Sequence, residues 1–471
     1  MEDQDVVVTV LLCVAFAAPA AEPAAFSAGN EELRQYMAEA ADTNPELKAR
    51  HAEWEALLAR VPQVTALDDP MFTYTQYLQS DQRKYGIRLE QKFPWFGTLR
   101  ARGDRALAEA DAALSRFYAA RNETFAAVKR AYFEYWALGE NIRIADEQTK
   151  IIANVEELIK SRYGLGLASQ SDLFRIEIEK DKLDDLRKGL AQSRGSLSAR
   201  LAAALGREAG EDLPWPQAAD FPPAFPAEEE VLKAVKASNP GVASIKHMVE
   251  SWEKEAIVAK KRGFPEFSVE FGYEDMKDMK DYGNRMNAAL ASESAKMFAQ
   301  TAPNDVGMAW ADVAYNAGRD FYLREPGDVR DDLMVSLRVS LPIWRKKIRA
   351  GISEANLMKA SVQHDKHKLE LALVSGAKDA MFGIQDAQRR YTLYKESLIT
   401  KEYKTYESLL SEYGAQVDAE PSGTAAGAGF VDIQDSVKAL LEFQLEQVRA
   451  ARDWQVAAAD LEMIMGGPWG N

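Results

Sequence analysis

The sequence predicts a mainly helical chain with a small β part, four short strands in all, arranged as two tandem structural repeats. Three observations carry this reading. Markers in the first half return in the same order in the second, four segments alternate apolar with polar residues, and two long runs contain no proline. The composition supports a large folded core: 47% of the 471 residues are hydrophobic, which excludes global disorder. The 58 basic residues are outnumbered by 73 acidic ones, a net charge of −15, so nucleic acid is not expected as a partner.

Taken in order, the chain begins with an apolar run from Val6 to Ala18, followed by small residues around Ala18-Pro19-Ala20. This is the core and cleavage pattern of a signal peptide, placed at 1–21, although Met1-Glu2-Asp3-Gln4-Asp5 is acidic where a basic start is usual. The alternative is an apolar helix retained in the fold. The lone cysteine, Cys13, lies inside this run, so neither disulfides nor CxxC metal sites are expected.

The first repeat covers 30–206 and reads as helix, two strands, long helix and return helix. Asn44-Pro45-Glu46-Leu47 returns as Asn239-Pro240-Gly241-Val242 in the second repeat, and Pro70-Met71-Phe72 returns as Pro265-Glu266-Phe267. Phe93-Pro94-Trp95-Phe96 is echoed by Leu341-Pro342-Ile343-Trp344, and Tyr163-Gly164 by Tyr413-Gly414. Residues 85–93 place Tyr85, Ile87, Leu89 and Phe93 on one face and Arg88, Glu90 and Lys92 on the other. From 97 to 162, Leu107, Leu114, Val128, Tyr135 and Ile142 pair with Ala110, Phe117, Ala131, Leu138 and Ala145 at heptad spacing, predicting one long helix with a coiled-coil seam. The return helix is expected at about 170–205.

Residues 207–228 carry Pro214, Pro216, Pro222, Pro223 and Pro226 and read as a semi-extended linker. The second repeat, 229–465, repeats the pattern. Phe267, Val269, Phe271 and Tyr273 face away from Ser268 and Glu270, and residues 333–341 alternate strictly, from Leu333 to Leu341. A long helix is expected at about 346–412 and a return helix at about 431–464. Between the last two strands, residues 274–332 make a loop far longer than its counterpart in the first repeat.

Strands of about nine residues with unlike faces suit either a soluble half-buried sheet or a tilted span of a bilayer. Four strands cannot close a membrane barrel alone, because open edges leave backbone groups unpaired in lipid. Three copies would supply twelve strands, and the helices continuing from them would extend the cylinder into water. No nucleophile–base pair or HExxH spacing is present, and there is no Walker A sequence, so neither an enzyme nor a cofactor is expected.

The order of Asn44-Pro45-Glu46-Leu47, Gln91-Lys92-Phe93-Pro94-Trp95-Phe96-Gly97 and Tyr163-Gly164-Leu165-Gly166-Leu167-Ala168-Ser169-Gln170-Ser171-Asp172-Leu173 resembles the TolC family of outer membrane efflux proteins over nearly the whole chain. The resemblance implies a homotrimer with one shared twelve-stranded β-barrel in outer membrane lipid, continued by a long α-helical periplasmic barrel. It further implies the exit duct of a tripartite efflux or type I secretion system, fed by a periplasmic adaptor and an inner membrane transporter. Drugs, secreted proteins and heavy metals or other cations are all cargoes of such ducts. The competing reading is a soluble periplasmic coiled-coil scaffold or adaptor.

Family members narrow the periplasmic entrance with acidic residues. Val431-Asp432-Ile433-Gln434-Asp435 matches their pattern, making Asp432 and Asp435 gate candidates, with Asp172 as the first-repeat counterpart. Helix N-terminal capping is the alternative for all three. Residues 414–429 form a longer Gly/Ala/Ser loop without arginine, which puts the family's salt-bridge latch in doubt there. Trp95, Phe96 and Trp344 suit a membrane-interface belt or ordinary packing. Met276, Met279, Met286, Met297 and Met308 in the long loop, and His364 with His367, offer metal-binding residue types, against packing and solvation as the plainer roles.

Overall fold

The computed structural model describes residues 31–78, 83–208, 210, 213–217, 227–276, 331–415 and 429–468. The expected signal peptide with Cys13, most of the proline-rich linker, the loop methionines Met279, Met286, Met297 and Met308, and residues 416–428 lie outside them.

Each half opens with two helices, where the sequence suggested one. The first half has α1 (Glu31–Thr43) and α2 (Pro45–Thr65), then β1 (Met71–Gln76), β2 (Arg83–Phe93), α3 (Thr98–Gly164) and α4 (Gln170–Leu205). The second has α5 (Glu228–Ser238), α6 (Pro240–Lys261), β3 (Glu266–Met276), β4 (Asp332–Ser340), α7 (Arg345–Thr392), a π-helical segment (Leu393–Leu398), α8 (Ile399–Ala415) and α9 (Phe430–Met465). Strand β3 therefore runs to Met276, shortening the long loop by its first residues.

The repeated Asn-Pro pair explains the extra break. Proline suits the first position of a helix and asparagine the cap before it. Asn44 Oδ1 accepts from the backbone N–H of Glu46 at 2.9 Å, and Asn239 Oδ1 from that of Val242 at 3.1 Å. The same side chains reach back to the return helices. Asn44 Nδ2 donates to Ala204 O at 3.3 Å, and Asn239 Nδ2 donates to Ile464 O at 2.8 Å. Each return helix ends on a left-handed glycine, Gly206 or Gly466, with φ of 78° and 89°. A Cβ on Gly466 would come within 2.5 Å of Ser238 O, and one on Gly206 within 3.0 Å of Asn44 Cα. The same joint is thus built twice, and only glycine fits it.

The chain divides into two compact units that cut across the repeats. One, drawn from residues up to 56, 110–248 and 362–471, is helical. In it α1, α3 and α4 enclose Tyr36, Val128, Tyr132, Tyr135, Leu201 and Leu205, while α5, α7 and α9 enclose Val231, Val235, Ile384 and Leu461. A third cluster, between α3, α4, α8 and α9, contains Ile159, Ile176, Tyr413, Phe430 and Ile433.

The heptad positions Val128, Ala131, Tyr135, Leu138 and Ala145 of α3 are buried as expected, but Leu107 is 47% exposed. The heptad position Ala110 is buried there, but so are Ala101, Ala106, Ala108, Ala112 and Ala113, which lie on several faces of the helix. Small side chains let neighbours approach from more than one side, so one seam does not describe this stretch. With 67 residues, α3 is about 100 Å long at 1.5 Å per residue. The second long run is interrupted by the π segment, whose sequence Leu-Tyr-Lys-Glu-Ser-Leu holds no glycine or proline to announce it.

The other unit, residues 57–109 and 249–361, contains the sheet. Its four strands are antiparallel in the order β1-β2-β3-β4, with β1 and β4 as the edges among the described residues.

Candidate functional site

Register makes the sheet two-faced. Phe72 pairs with Leu89, Leu89 with Phe271, and Phe271 with Val335, a single apolar row across all four strands. Tyr74, Ile87, Tyr273 and Leu333 form the next row on that face. The opposite face carries Arg88, Glu90, Lys92, Glu270, Glu274 and Arg338. A soluble half-buried sheet would hide the apolar face. Here it is the exposed one: Val335 is 64% exposed and Phe271 56%, whereas Glu270 and Glu274 are only 6% and 4% exposed. The buried carboxylates are all ion-paired, as burial requires. Glu274 is 3.1 Å from Arg83 and 3.0 Å from Arg88, and Tyr77 donates to it at 3.2 Å. Arg338 spans Glu90, at 3.1 Å, and Glu270.

Aromatic residues mark both ends of the apolar rows. Where β2 ends, Trp95 stacks on Phe264 and Phe267 at ring separations of 5.2 and 5.7 Å, while Phe96 and Trp344 are exposed. Trp95 is therefore partly packed, and the other two point outward. At the other end of the strands Tyr85 lies 6.1 Å from Tyr74 and 6.3 Å from Tyr273, a second aromatic group that sequence reading missed. Alternation put these tyrosines on the apolar face, but only pairing gathers them into one band. From Phe267 to Tyr273 the strand advances about 20 Å at 3.3 Å per residue.

The turns in the helical unit hold the acidic candidates. Asp172 belongs to a reciprocal cap on α4. Its carboxylate accepts from Ser169 N at 3.0 Å, and its own N–H donates to Ser169 Oγ at 3.2 Å. Asp432 accepts from Gly429 N at 2.9 Å at the start of α9, one half of such a box, since glycine has no side chain to return the bond. Asp435 caps nothing: its carboxylate is 70% exposed and lies 3.9 Å from Lys438. Ile433 and Val437, on the other side of the helix, are buried, so Asp432 and Asp435 share the outward side of α9.

Ion pairs tie the helices near these turns. Glu156 of α3 takes Lys160 at 2.6 Å and Lys180 of α4 at 2.8 Å, and these hydrogen bonds hold its carboxyl below the usual range. Burial alone would push Glu179 of α4 up, but bonds from Lys182 and from Lys438 of α9 outweigh it and lower it. The arginine missing from 414–429 has a counterpart elsewhere. Arg162, at the end of α3, is buried with its guanidinium 4.1 Å from the ring centre of Tyr413, and it donates to the Tyr413 carbonyl. Burial raises the Tyr413 phenol above its usual range, partly offset by that charge. The only sequence signal was that Arg162 and Glu412 occupy the same place before the two Tyr-Gly markers with opposite charge.

His364 and His367 are exposed on α7, and among the described residues no group of His, Cys, Asp or Glu is placed to hold a metal ion. No described helix is long and apolar enough to cross a membrane.

An antiparallel sheet with its apolar face outward and a set of long helices are the two features that the comparisons with known proteins bear on. Residues 36–207 match the family model "Outer membrane efflux protein". The fold is similar to that of the outer membrane protein VceC from Vibrio cholerae, with a TM-score of 0.67 at 14% identity, covering 93% of this chain and 97% of that one. It is similar also to the Campylobacter jejuni CmeC outer membrane channel (TM-score 0.66, 12% identity, 93% and 86% covered) and to the open state of the Neisseria gonorrhoeae MtrE channel (0.64, 16%, 92% and 89%). No curated protein sequence matches the chain. The resemblance to the TolC family holds, through the family model over the first repeat and through the fold over nearly the whole chain. The matches are to outer membrane proteins, in agreement with the location read from the sequence.

Proposed function

We propose that three copies of this chain form an outer membrane exit duct for efflux or secretion, passing cargo delivered through a periplasmic adaptor by an inner membrane transporter. The observation that carries this is the exposed apolar face running across all four strands, bounded at both ends by aromatic residues. Lipid is the solvent that such a face fits, and transmembrane strands of this kind turn their polar side to a lumen. The edges at β1 and β4 require partners in a bilayer, and the same edges of two further copies supply them in a closed ring of twelve strands. The duct is passive: energy and cargo selection belong to the inner partner.

Asp432 and Asp435 are the proposed entrance carboxylates, repeated three times around the axis, where they favour cations and can trap them. Because Asp435 makes no cap, Asp435→Asn is expected to weaken block by divalent cations in planar bilayers while leaving thermal stability unchanged. Asp432→Ala should weaken block and also cost about 1 kcal/mol through loss of the cap. Unchanged block in both variants would remove these residues from the entrance. Asp172, which shares its hydrogen bonds with Ser169, is assigned to capping.

A further inference from the structure

The polar face of the sheet holds two charge triads of opposite sign. Nearer the Pro94 end, one guanidinium serves two carboxylates: Arg338 bridges Glu90 at 3.1 Å and Glu270, which stand directly opposite each other in the β2–β3 register. Toward the other end, one carboxylate serves two guanidinium groups: Glu274 takes Arg83 at 3.1 Å and Arg88 at 3.0 Å. The central group of each triad holds the outer two together, and the triads carry formal charges of −1 and +1. Their sum is zero. Lys92, Glu266 and Asp332 lie on the same face outside the triads.

We propose that Arg338 and Glu274 are the residues that set the ionic selectivity of the barrel lumen, each neutralising a triad whose remaining charges would otherwise dominate one band of the wall. This rests on the duct reading, which turns the polar face inward. Intact, the two bands oppose each other and the barrel discriminates weakly between small cations and anions. Without the Arg338 charge, Glu90 and Glu270 form a ring of uncompensated carboxylates. Without the Glu274 charge, Arg88 loses the carboxylate it is paired with, and its guanidinium, repeated in three copies, forms a ring of cations. Rings of one sign select ions of the other. The effect must be read in dilute salt, because the screening length is about 30 Å at 0.01 M but only about 3 Å at 1 M.

The test is the reversal potential of the full-length protein in planar bilayers under a KCl gradient in the 10 mM range. Arg338→Gln is expected to raise the K⁺/Cl⁻ permeability ratio on the order of threefold over the unaltered protein, and Glu274→Gln to lower it by a similar factor. Arg338→Lys, which keeps the charge, should leave the ratio unchanged, and the double variant R338Q/E274Q should return it toward the starting value. In 1 M KCl all differences should vanish. Conducting R338Q and E274Q channels with the original reversal potential in dilute salt would overturn the proposal. If R338Q forms no channels, E274Q decides alone: a shift toward Cl⁻ supports the assignment, and no shift overturns it. Absence of conductance from the unaltered protein would instead contradict the duct reading itself.

Discussion

A Val335→Arg chain is expected to lose membrane insertion almost completely. Val335 sits at the centre of β4, 64% exposed and in the cross-strand row with Phe72, Leu89 and Phe271. An arginine on the lipid side of a transmembrane strand costs about 2–4 kcal/mol near the midplane, and three copies multiply this to roughly 6–12 kcal/mol per assembly. Protease protection after folding into lipid vesicles measures the result. Ser336→Arg, one residue along and on the opposite face, should insert normally, because its new charge meets water in the lumen. For a soluble sheet the outcomes would reverse, since an exposed valine costs nothing to charge while Ser336 is the more covered of the two.

The second large effect concerns the helices. Lys129 of α3 and Glu462 of α9 form an ion pair with side chains only 10% and 7% exposed. Glu462→Ala removes a carboxylate partner of this largely buried ammonium, a loss expected to cost about 3–5 kcal/mol. Replacing both at once, Lys129→Met with Glu462→Leu, should be close to neutral, because the desolvation cost of both charges disappears with them. Thermal unfolding of the detergent-solubilised protein, run as a double-mutant cycle, checks the pair. Single substitutions costing under about 1 kcal/mol would mean that water reaches the seam.

Periodicity carried most of the fold. Strict alternation over 333–341 and 267–273 located strands to within a few residues, and proline-free heptads located α3. What local pattern could not supply was pairing between residues far apart in the chain. Alternation separated Glu270 from Phe271, but which face would be buried depended on Arg338, 68 residues later, and on Arg83 and Arg88 in the other repeat. The Asn-Pro marker was visible, yet its role as a helix joint appears only when the return helix arrives at Ala204 or Ile464. Leu107 misled because heptad position says nothing about how many neighbours surround an alanine-rich stretch. Arg162 was overlooked for the same reason: its partner, Tyr413, lies in the opposite repeat. At the acidic site, the spacing of Asp432 and Asp435 was legible, but their different bonding was not, since it depends on which backbone N–H each carboxylate reaches.

The most direct measurement is an image of the full chain reconstituted in lipid nanodiscs by single-particle electron microscopy. The expected particle has threefold symmetry, a lipid belt around the rows containing Phe271 and Val335, and β4 of each copy hydrogen-bonded to β1 of the next. A monomer that stays in the aqueous phase, with those side chains folded against protein, would contradict the account.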